Sequence, residues 1–268
     1  SRMSLARASS WSITTTESPA LTAIAVRFRP IPPRPTMMVY ISIWIQPPGL
    51  KYLANQPLRV ICGVDEAGKG SVLGPMVVAA VGCRDIEDLA GLPIRDSKAL
   101  RPKQREALYE ILYRDFSIAI VTIDASGIDD ARSRMSMNTC VAELHAEAIR
   151  GLQPESAYVD ACDVNAERYG RTVAGFLDFP CRIVAEHRAD DRHKIVGAAS
   201  IVAKVTRDRA IRELEQQYGT IGSGYPSDAV TIEFLRGYIR EHGSPPPCAR
   251  RSWKTVTNLC QTTMQDFA

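Results

Sequence analysis

Residues 60–78 have the sequence VICGVDEAGKGSVLGPMVV, and this stretch decides the fold. It begins with a short apolar run that ends in two adjacent acids, Asp65 and Glu66. A glycine-rich loop follows, and a second apolar run, rich in valine and alanine, continues to Val81. Short apolar runs bounded by glycine or proline are typical of buried strands. The stretch therefore predicts two strands, with a pair of carboxylates at the end of the first.

Further patterns downstream predict alternating strands and helices. Three more apolar runs of strand length lie at 117–123, 157–159 and 182–185. Apolar residues recur at helical spacing in four segments, which lie at 102–112, 137–148, 198–218 and 234–239. Two strands in succession, followed by strands that alternate with helices, indicate a single α/β domain. We place this domain at about residues 58–245.

The two ends of the chain differ from this domain. The first 57 residues hold 8 of the 17 prolines, and six basic side chains against one acid, Glu17. We expect residues 1–57 to be mostly disordered, or to be an extension that is not part of the native product. The alternative for the apolar stretch 38–45 is that it docks on the domain as a strand. Residues 246–268 are expected to form a separate C-terminal segment.

Composition excludes several classes of protein. The chain of 268 residues is 45% hydrophobic and 24% charged, an ordinary balance for a globular protein. It has no run of 18 apolar residues, so a membrane-spanning helix is not expected. The seven cysteines are scattered without a Cys-x-x-Cys pair, which favours a reducing cytoplasm and argues against structural zinc. A net charge of +3 does not by itself indicate a nucleic-acid partner.

Acids stand at or just beyond the ends of three predicted strands. Asp65 and Glu66 end the first, Asp160 ends another, and Asp190 comes shortly after a third. A carboxylate at the end of a buried strand is costly unless it is paired, hydrogen-bonded or bound to a metal. Each acid alone is explained by capping of the turn that follows it. Together they predict an oxygen-only site for a pair of Mg²⁺ or Mn²⁺ ions, an arrangement suited to phosphodiester hydrolysis.

These acids belong to a series of motifs that resembles ribonuclease HII. After the opening stretch, four more motifs match that family in order: Asp96-Ser97-Lys98, Tyr158-Val159-Asp160-Ala161, the segment from Ala185-Glu186-His187-Arg188-Ala189-Asp190 to Asp208, and Gly224-Tyr225-Pro226-Ser227. The Ala-Glu-His-Arg-Ala-Asp form looks archaeal, as does the stretch 251–255. The resemblance covers about residues 60–257.

The resemblance implies an α/β fold of the ribonuclease H type, with a mixed sheet flanked by helices and a helical C-terminal portion. It implies an endonuclease that hydrolyses the RNA strand of RNA/DNA hybrids. It also implies incision on the 5′ side of ribonucleotides embedded in duplex DNA, leaving 3′-hydroxyl and 5′-phosphate ends. Such an enzyme serves DNA replication and ribonucleotide excision repair, and we expect it to be a cytoplasmic monomer.

The resemblance also implies roles for individual residues. By motif position, the catalytic and metal-coordinating carboxylates are Asp65, Glu66, Asp160 and Asp190. Substrate contacts are implied for Gly68, Lys69, Gly70, Ser97, Lys98 and Tyr225. The loop amides are expected to reach the 2′-hydroxyl that separates RNA from DNA, while the tyrosine stacks on the neighbouring deoxyribose. The family usually has arginine in the middle of this loop, and lysine lacks the bidentate fork of arginine.

The last eight residues are similar to a sliding-clamp interaction box. Gln261, Met264 and Phe267 have the spacing of such a box, whereas Ala268 replaces its usual second aromatic residue. A short helical turn would present the methionine and the phenylalanine to a hydrophobic pocket of the clamp. The missing aromatic side chain predicts weaker binding.

Two other functions stay open from the residues alone. A different nuclease of the same fold, such as a transposase or a junction-resolving enzyme, shares the clustered carboxylates but lacks the Gly-Lys-Gly loop and the Gly-Tyr-Pro element. Cleavage of an all-DNA duplex would identify it. A non-catalytic clamp-binding module would show no cutting that depends on Mg²⁺ or Mn²⁺.

Three further expectations concern helical side chains. His145 is expected to be structural, and Lys204 to pair with Asp208 one helical turn away. Arg207, Arg209 and Arg212 are expected on a solvated helix face.

Overall fold

The computed structural model describes residues 39–44, 60–94 and 100–265. Within this part of the chain the strands are β1 (Val39–Trp44), β2 (Ile61–Ala67), β3 (Met76–Cys83), β4 (Ser117–Ile123), β5 (Ser156–Asp160) and β6 (Arg182–Glu186). The helices are α1 (Pro102–Asp115), α2 (Ala125–Arg132), α3 (Met137–Leu152), α4 (Ala166–Gly175), α5 (Ala189–Arg192), α6 (Lys194–Tyr218), α7 (Ala229–His242) and α8 (Lys254–Gln265). A short 3₁₀ helix spans Ile86–Leu89.

The strands form one mixed sheet with the order β1-β4-β3-β2-β5-β6. The four strands from β1 to β2 pair antiparallel, while β2, β5 and β6 run parallel. Helices precede both parallel partners, because a parallel strand must be reached by a crossover connection. The predicted mixed sheet flanked by helices is confirmed.

The edge strand β1 lies in the segment expected to be disordered. It pairs antiparallel with β4, with Val39 opposite Ile123 and Trp44 opposite Ile118. The structure therefore corrects the expectation of disorder for these six residues and agrees with the docking-strand alternative. The physical reason is that this β-branched and aromatic run meets the open edge of β4. The remainder of residues 1–57 lies outside the described part of the chain.

Helices cover both faces of the sheet, and β3 is buried along its whole length. Its alternate residues enter different cores, as the two-residue period of a strand requires. Val78 packs on one face in the same cluster as Leu144 of α3. Val77 packs on the other face in the same cluster as Ile201 of α6.

Strand β2 meets helix α6 at Gly63. A Cβ atom built at this glycine would lie 2.3 Å from the carbonyl carbon of Ile195 and 2.4 Å from the amide nitrogen of Val196. Only a residue without a side chain permits this approach of backbone to backbone. The contact places α6 directly against the strand that ends in Asp65.

The C-terminal helices form a third apolar cluster. Leu235 and Ile239 of α7 pack with Val256 and Leu259 of α8, and Leu73 reaches into the same cluster from the loop after β2. The helical C-terminal portion is confirmed, and its packing continues through residue 245, where the catalytic domain was expected to end. None of the helices in the described residues is long and apolar enough to cross a bilayer.

Candidate active site

The predicted acids lie at or just beyond the carboxyl ends of three neighbouring parallel strands. Val64 of β2 is opposite Val159 of β5, so Asp65 and Asp160 are the next residues at the same edge of the sheet. Asp190 lies in α5, which begins three residues after β6 ends. In open α/β sheets this edge is where ligands bind.

Asp65 and Asp160 interact electrostatically with their acidic neighbours. Burial raises the pKa of Asp65 well above its ordinary value, and the charges of Glu66 and Asp160 raise it further. Burial also raises the pKa of Asp160, with additional contributions from the charges of Glu66 and Asp190. Two carboxylates that oppose one another's ionisation in this way are stabilised by a cation placed between them.

Hydrogen bonds from protein groups hold Asp65 and Asp160. The Asp65 carboxylate accepts a hydrogen bond from the amide of Glu66 at 2.7 Å and another from the Ser200 hydroxyl. Asp160 accepts from the amide of Ala189 at 2.7 Å, at the start of α5. A free helix N-terminus donates favourably to a carboxylate.

The side chains present suit a hard divalent ion by their chemistry. In the part of the chain covered by the structure, no three His, Cys, Asp or Glu side chains converge closely enough to form a ready metal site. The donor set is nevertheless composed of carboxylates alone, which Mg²⁺ and Mn²⁺ prefer. The fit therefore rests on the chemistry and mutual repulsion of these acids, and the metal ligands stay a prediction.

The Gly-Lys-Gly loop is shaped by its first glycine. Gly68 has a φ of +87°, and a Cβ atom there would lie 2.4 Å from Nε of Arg207 and 2.8 Å from the carbonyl oxygen of Pro75. The hydroxyl of Ser71 donates to the Gly68 carbonyl at 2.9 Å and closes the turn. Around Gly70, by contrast, no atom of the described residues other than its chain neighbours lies within 4 Å of the position of a Cβ. The second glycine thus leaves room for a ligand to approach the backbone.

The ammonium group of Lys69 is engaged within the protein. It donates to the side-chain oxygen of Asn138 at 2.9 Å and to the carbonyl oxygen of Cys162 at 3.0 Å. Two of its three N–H donors are therefore used to tie the loop to α3 and to the segment after β5. This arrangement favours a role for the loop through its backbone amides, because two hydrogen bonds hold the lysine ammonium group against the protein.

Arg250 supports the other side of the same loop. Its guanidinium donates to the carbonyl of Lys69 at 3.1 Å and to that of Gly74 at 3.1 and 3.2 Å. The side chain is fully buried. Burial, together with the nearby charge of Arg207, lowers its pKa to about 9. Sequence reasoning missed this residue, although it immediately precedes the archaeal-looking stretch 251–255.

Tyr225 is connected to the Gly-Lys-Gly loop through Arg207, which also packs against Gly68. The carbonyl of the preceding Gly224 accepts hydrogen bonds from the amides of Val72 and Leu73 at 2.8 and 3.1 Å. The half-buried tyrosine ring has the guanidinium carbon of Arg207 at 4.6 Å from its centroid, a cation–π contact. The structure thus joins two motifs that are far apart in sequence.

Side chains of α6 depart from expectation. Lys204 donates to the hydroxyl of Ser200 at 2.7 Å. Asp208, its predicted partner, pairs instead with Arg105 of α1 at 3.4 Å. Because Ser200 accepts from the lysine and hydrogen-bonds Asp65, a basic residue is connected to the acidic cluster through one hydroxyl.

The prediction of a solvated arginine face on α6 is wrong for Arg207 and incomplete for its neighbours. Arg207 is only 4% exposed, since it packs under the Gly-Lys-Gly loop and Tyr225. Arg209 and Arg212 both form ion pairs with Glu106 of α1 at 2.6 Å. For Arg209 and Arg212 the physical reason is that α1 packs on this face of α6, a contact that helical periodicity in the sequence does not reveal.

Several predicted site residues cannot be placed. Ser97 and Lys98 lie outside the described residues, as does Phe267. Gln261 is exposed on α8, and the backbone of this helix includes Met264.

His145, which was expected to be structural, also contacts the acidic cluster. Its Nε2 lies 3.1 Å from Oε2 of Glu66.

Comparisons with known proteins agree with these observations. The family model described as ribonuclease HII matches residues 62–256. A ribonuclease HII from Methanoregula boonei is 58% identical over 75% of this chain and 94% of its own length. The crystal structure of ribonuclease H2 from Pyrococcus horikoshii has a TM-score of 0.73 and 38% identity, covering 77% of this chain and 99% of that one. The RNase HII in a PCNA:RNase HII complex from Archaeoglobus fulgidus gives a TM-score of 0.71 and 42% identity, covering 77% of this chain and all of that one.

Proposed function

The chain is a member of the ribonuclease HII family, and we propose that it incises duplex DNA on the 5′ side of embedded ribonucleotides by two-metal-ion catalysis. Members of this family are ribonucleases H, metal-dependent endonucleases that act on RNA/DNA hybrids. The proposed incision leaves 3′-hydroxyl and 5′-phosphate ends. The proposal includes a monomeric enzyme in the cytoplasm, and it assigns the chemistry to four carboxylates, Asp65, Glu66, Asp160 and Asp190.

One observation carries the proposal: the acids at the end of β2, the Gly-Lys-Gly loop and the segment that carries Tyr225 are neighbours. Asp65 and Glu66 lie at the end of β2, and the Gly-Lys-Gly loop follows them almost at once. Hydrogen bonds from the amides of Val72 and Leu73 to the carbonyl of Gly224 join the segment of Tyr225 to the chain just after that loop. A duplex held by the loop and the tyrosine would therefore present its backbone to the carboxylates.

The carboxylates would hold two divalent ions. Bound there, the ions would supply a water of lowered pKa and stabilise the charge that develops on the leaving oxygen. The protein itself contributes fixed positions for the acids. The Ala189 amide holds Asp160, while the Ser200 hydroxyl holds Asp65.

The loop and the tyrosine would distinguish RNA from DNA. Gly70 is exposed, and its backbone amide would be suited to the 2′-hydroxyl, which both donates and accepts hydrogen bonds. The Tyr225 ring is held by Arg207 and would pack on the deoxyribose beyond the ribonucleotide. Roles for Ser97 and Lys98 in binding the DNA phosphates remain predictions.

A gel assay on matched duplexes tests the proposal. The duplexes contain no ribonucleotide, one ribonucleotide or several, and each is incubated with Mg²⁺, with Mn²⁺ or with chelator. We expect one cut on the 5′ side of the single ribonucleotide, cutting along the longer RNA stretch, and neither without metal. Cleavage of the all-DNA duplex would favour another nuclease of the fold. Absence of any metal-dependent cutting would favour a binding module.

Replacement of Tyr225 tests whether this residue recognises the junction between the ribonucleotide and the DNA. We expect Tyr225→Ala to raise KM for the duplex with one ribonucleotide by about tenfold, since loss of one stacking contact costs about 1–3 kcal/mol. Tyr225→Phe keeps the ring over Arg207 and should behave like the wild type. Steady-state kinetics on the single-ribonucleotide duplex measure the difference, and an unchanged KM for the alanine variant would remove this role.

We propose further that residues 261–268 bind a sliding clamp. The support is the spacing of Gln261, Met264 and Phe267, together with the similarity of this chain to the RNase HII in a PCNA complex. Helix α8 also carries an exposed Gln261 to the beginning of the box.

Clamp binding has a direct test in Phe267→Ala. Because the phenylalanine would fill the clamp pocket, the variant should lose about tenfold or more in affinity, as expected when an aromatic anchor is truncated. Surface plasmon resonance on immobilised archaeal clamp compares it with Thr263→Ala, a change inside the box at a position that the motif leaves free. Equal affinity of Phe267→Ala and wild type would remove the proposal without affecting nuclease activity.

A further inference from the structure

A buried imidazole and a buried phenol stand behind Glu66. His145 of α3 is completely buried, and its Nε2 lies 3.1 Å from Oε2 of the glutamate. Its other ring nitrogen, Nδ1, lies 3.1 Å from the hydroxyl of Tyr169 on α4, which is 1% exposed. The two rings meet edge to face, with centroids 5.7 Å apart and an interplanar angle of 87°. Both polar atoms of the imidazole are therefore used.

The imidazole links the phenol to the carboxylate. Burial raises the pKa of Tyr169 well above its ordinary value, so the phenol keeps its proton. An imidazole with its hydrogen on Nε2 can donate to Glu66 and accept at Nδ1 from the phenol at the same time. The two contacts of 3.1 Å therefore suit a connected group of tyrosine, histidine and glutamate.

This arrangement is more specific than core packing requires. Apolar residues surround the pair, and buried polar groups are unfavourable in such a core unless every one of them is hydrogen-bonded. A phenylalanine and a leucine of similar volume would fill the same space without that requirement. The hydrogen-bonded pair leads instead to one oxygen, Oε2, of a single carboxylate.

We propose that His145 and Tyr169 are positioning residues that orient the Glu66 carboxylate for a divalent cation. The inference rests on the proposed metal-dependent function of the acidic cluster. A histidine or tyrosine that hydrogen-bonds a metal ligand fixes the orientation of that ligand and strengthens metal binding. Neither residue touches the substrate in this scheme, and each acts through the glutamate.

The test measures metal binding separately from activity. Isothermal titration of the substrate-free protein with Mn²⁺ gives the affinity, and steady-state kinetics on the single-ribonucleotide duplex give KM and kcat. We expect His145→Leu to weaken Mn²⁺ binding by about 10- to 100-fold, the range for loss of such a partner. The Mn²⁺ concentration for half-maximal kcat should rise in parallel, while KM for the duplex stays unchanged.

Two further variants separate positioning from folding. Tyr169→Phe removes one oxygen atom and keeps the ring, so it should fold and show a smaller loss of Mn²⁺ affinity in the same direction. His145→Gln keeps an N–H donor and should recover part of the affinity that His145→Leu loses. Tyr109→Phe is the matched control, since Tyr109 is a buried tyrosine (7% exposed) in the core of the opposite face and should bind Mn²⁺ like the wild type.

The outcomes distinguish this inference from the proposed function. Wild-type Mn²⁺ affinity in both His145→Leu and Tyr169→Phe would overturn the positioning role while the nuclease assignment stands. If His145→Leu does not fold, Tyr169→Phe alone decides, and wild-type affinity in that variant overturns the role. A wild-type protein that neither binds Mn²⁺ nor cuts any ribonucleotide-containing duplex would overturn both.

Discussion

Asp65→Asn is expected to lower kcat on a duplex with one embedded ribonucleotide by more than about a hundredfold. Loss of a partner behind a metal ligand already costs about 10- to 100-fold, and this change removes a proposed ligand itself. The amide has nearly the same shape as the carboxylate but no charge to offer a cation. The loss is measured in a single-turnover gel assay at saturating Mn²⁺.

The same variant should not be less stable than the wild type when metal is absent. Burial and the charges of Glu66 and Asp160 raise the pKa of Asp65, so the ionised form is unfavourable in the folded protein. A neutral asparagine removes that repulsion. Asp115→Asn, the same chemical change at an exposed pair with Arg114, is the control and should cut like the wild type. Near-wild-type kcat in Asp65→Asn would contradict the proposed active site.

Gly63→Ala is expected to cause the largest loss of stability from a single methyl group. The new Cβ would lie 2.3 Å from both the carbonyl carbon and the carbonyl oxygen of Ile195 in α6. Backbone atoms cannot rotate away as a side chain can, so the helix must move off β2. Overpacking costs about 1–3 kcal/mol and occasionally more, and a clash with backbone belongs at the upper end. A loss of about 3 kcal/mol corresponds to a fall in Tm of roughly 6–12 °C for a domain of this size.

Gly237→Ala supplies a matched control for the methyl group. It makes the same substitution in α7, where, beyond the local helix backbone and the chain neighbours, no atom of the residues that the structure describes lies within 4 Å of the new Cβ. Alanine is favoured over glycine inside a helix by about 1 kcal/mol, so this variant should be slightly more stable than the wild type. Calorimetry on the two variants gives shifts of opposite sign. A Tm for Gly63→Ala equal to that of the wild type would show that β2 and α6 are not in the contact described.

Most regular elements were predictable because their patterns are long or sharply bounded. The helical spacing at 137–148 and 198–218 predicts α3 and α6, which extend over Met137–Leu152 and Lys194–Tyr218. The helix α4 was not predicted. It is a short helix with glycine at two of its ten positions, and packing against β6 stabilises it. The edge strand β1 was only an alternative, because its partner β4 is about eighty residues away in sequence.

The side-chain contacts of the site were much harder to predict. Lys204 and Asp208 have the spacing of a helical ion pair, yet each binds a different partner because Ser200 and α1 offer closer ones. The imidazole of His145 shows no pattern in sequence that would direct it to Glu66. Its position inside the apolar face of α3 indicated burial only.

The amino-acid sequence by itself determined the fold class, the family and the strand ends at which the acids stand. It could do so because alternation, helical periodicity and ordered motifs are local properties of the chain. The tertiary structure alone decided which groups hold those acids and the loop beside them. Glu66 meets His145 from 79 positions away, and Arg250 supports Lys69 across 181 positions. Hydrogen bonds over such separations depend on how sheet and helices pack, and no spacing in the sequence encodes them.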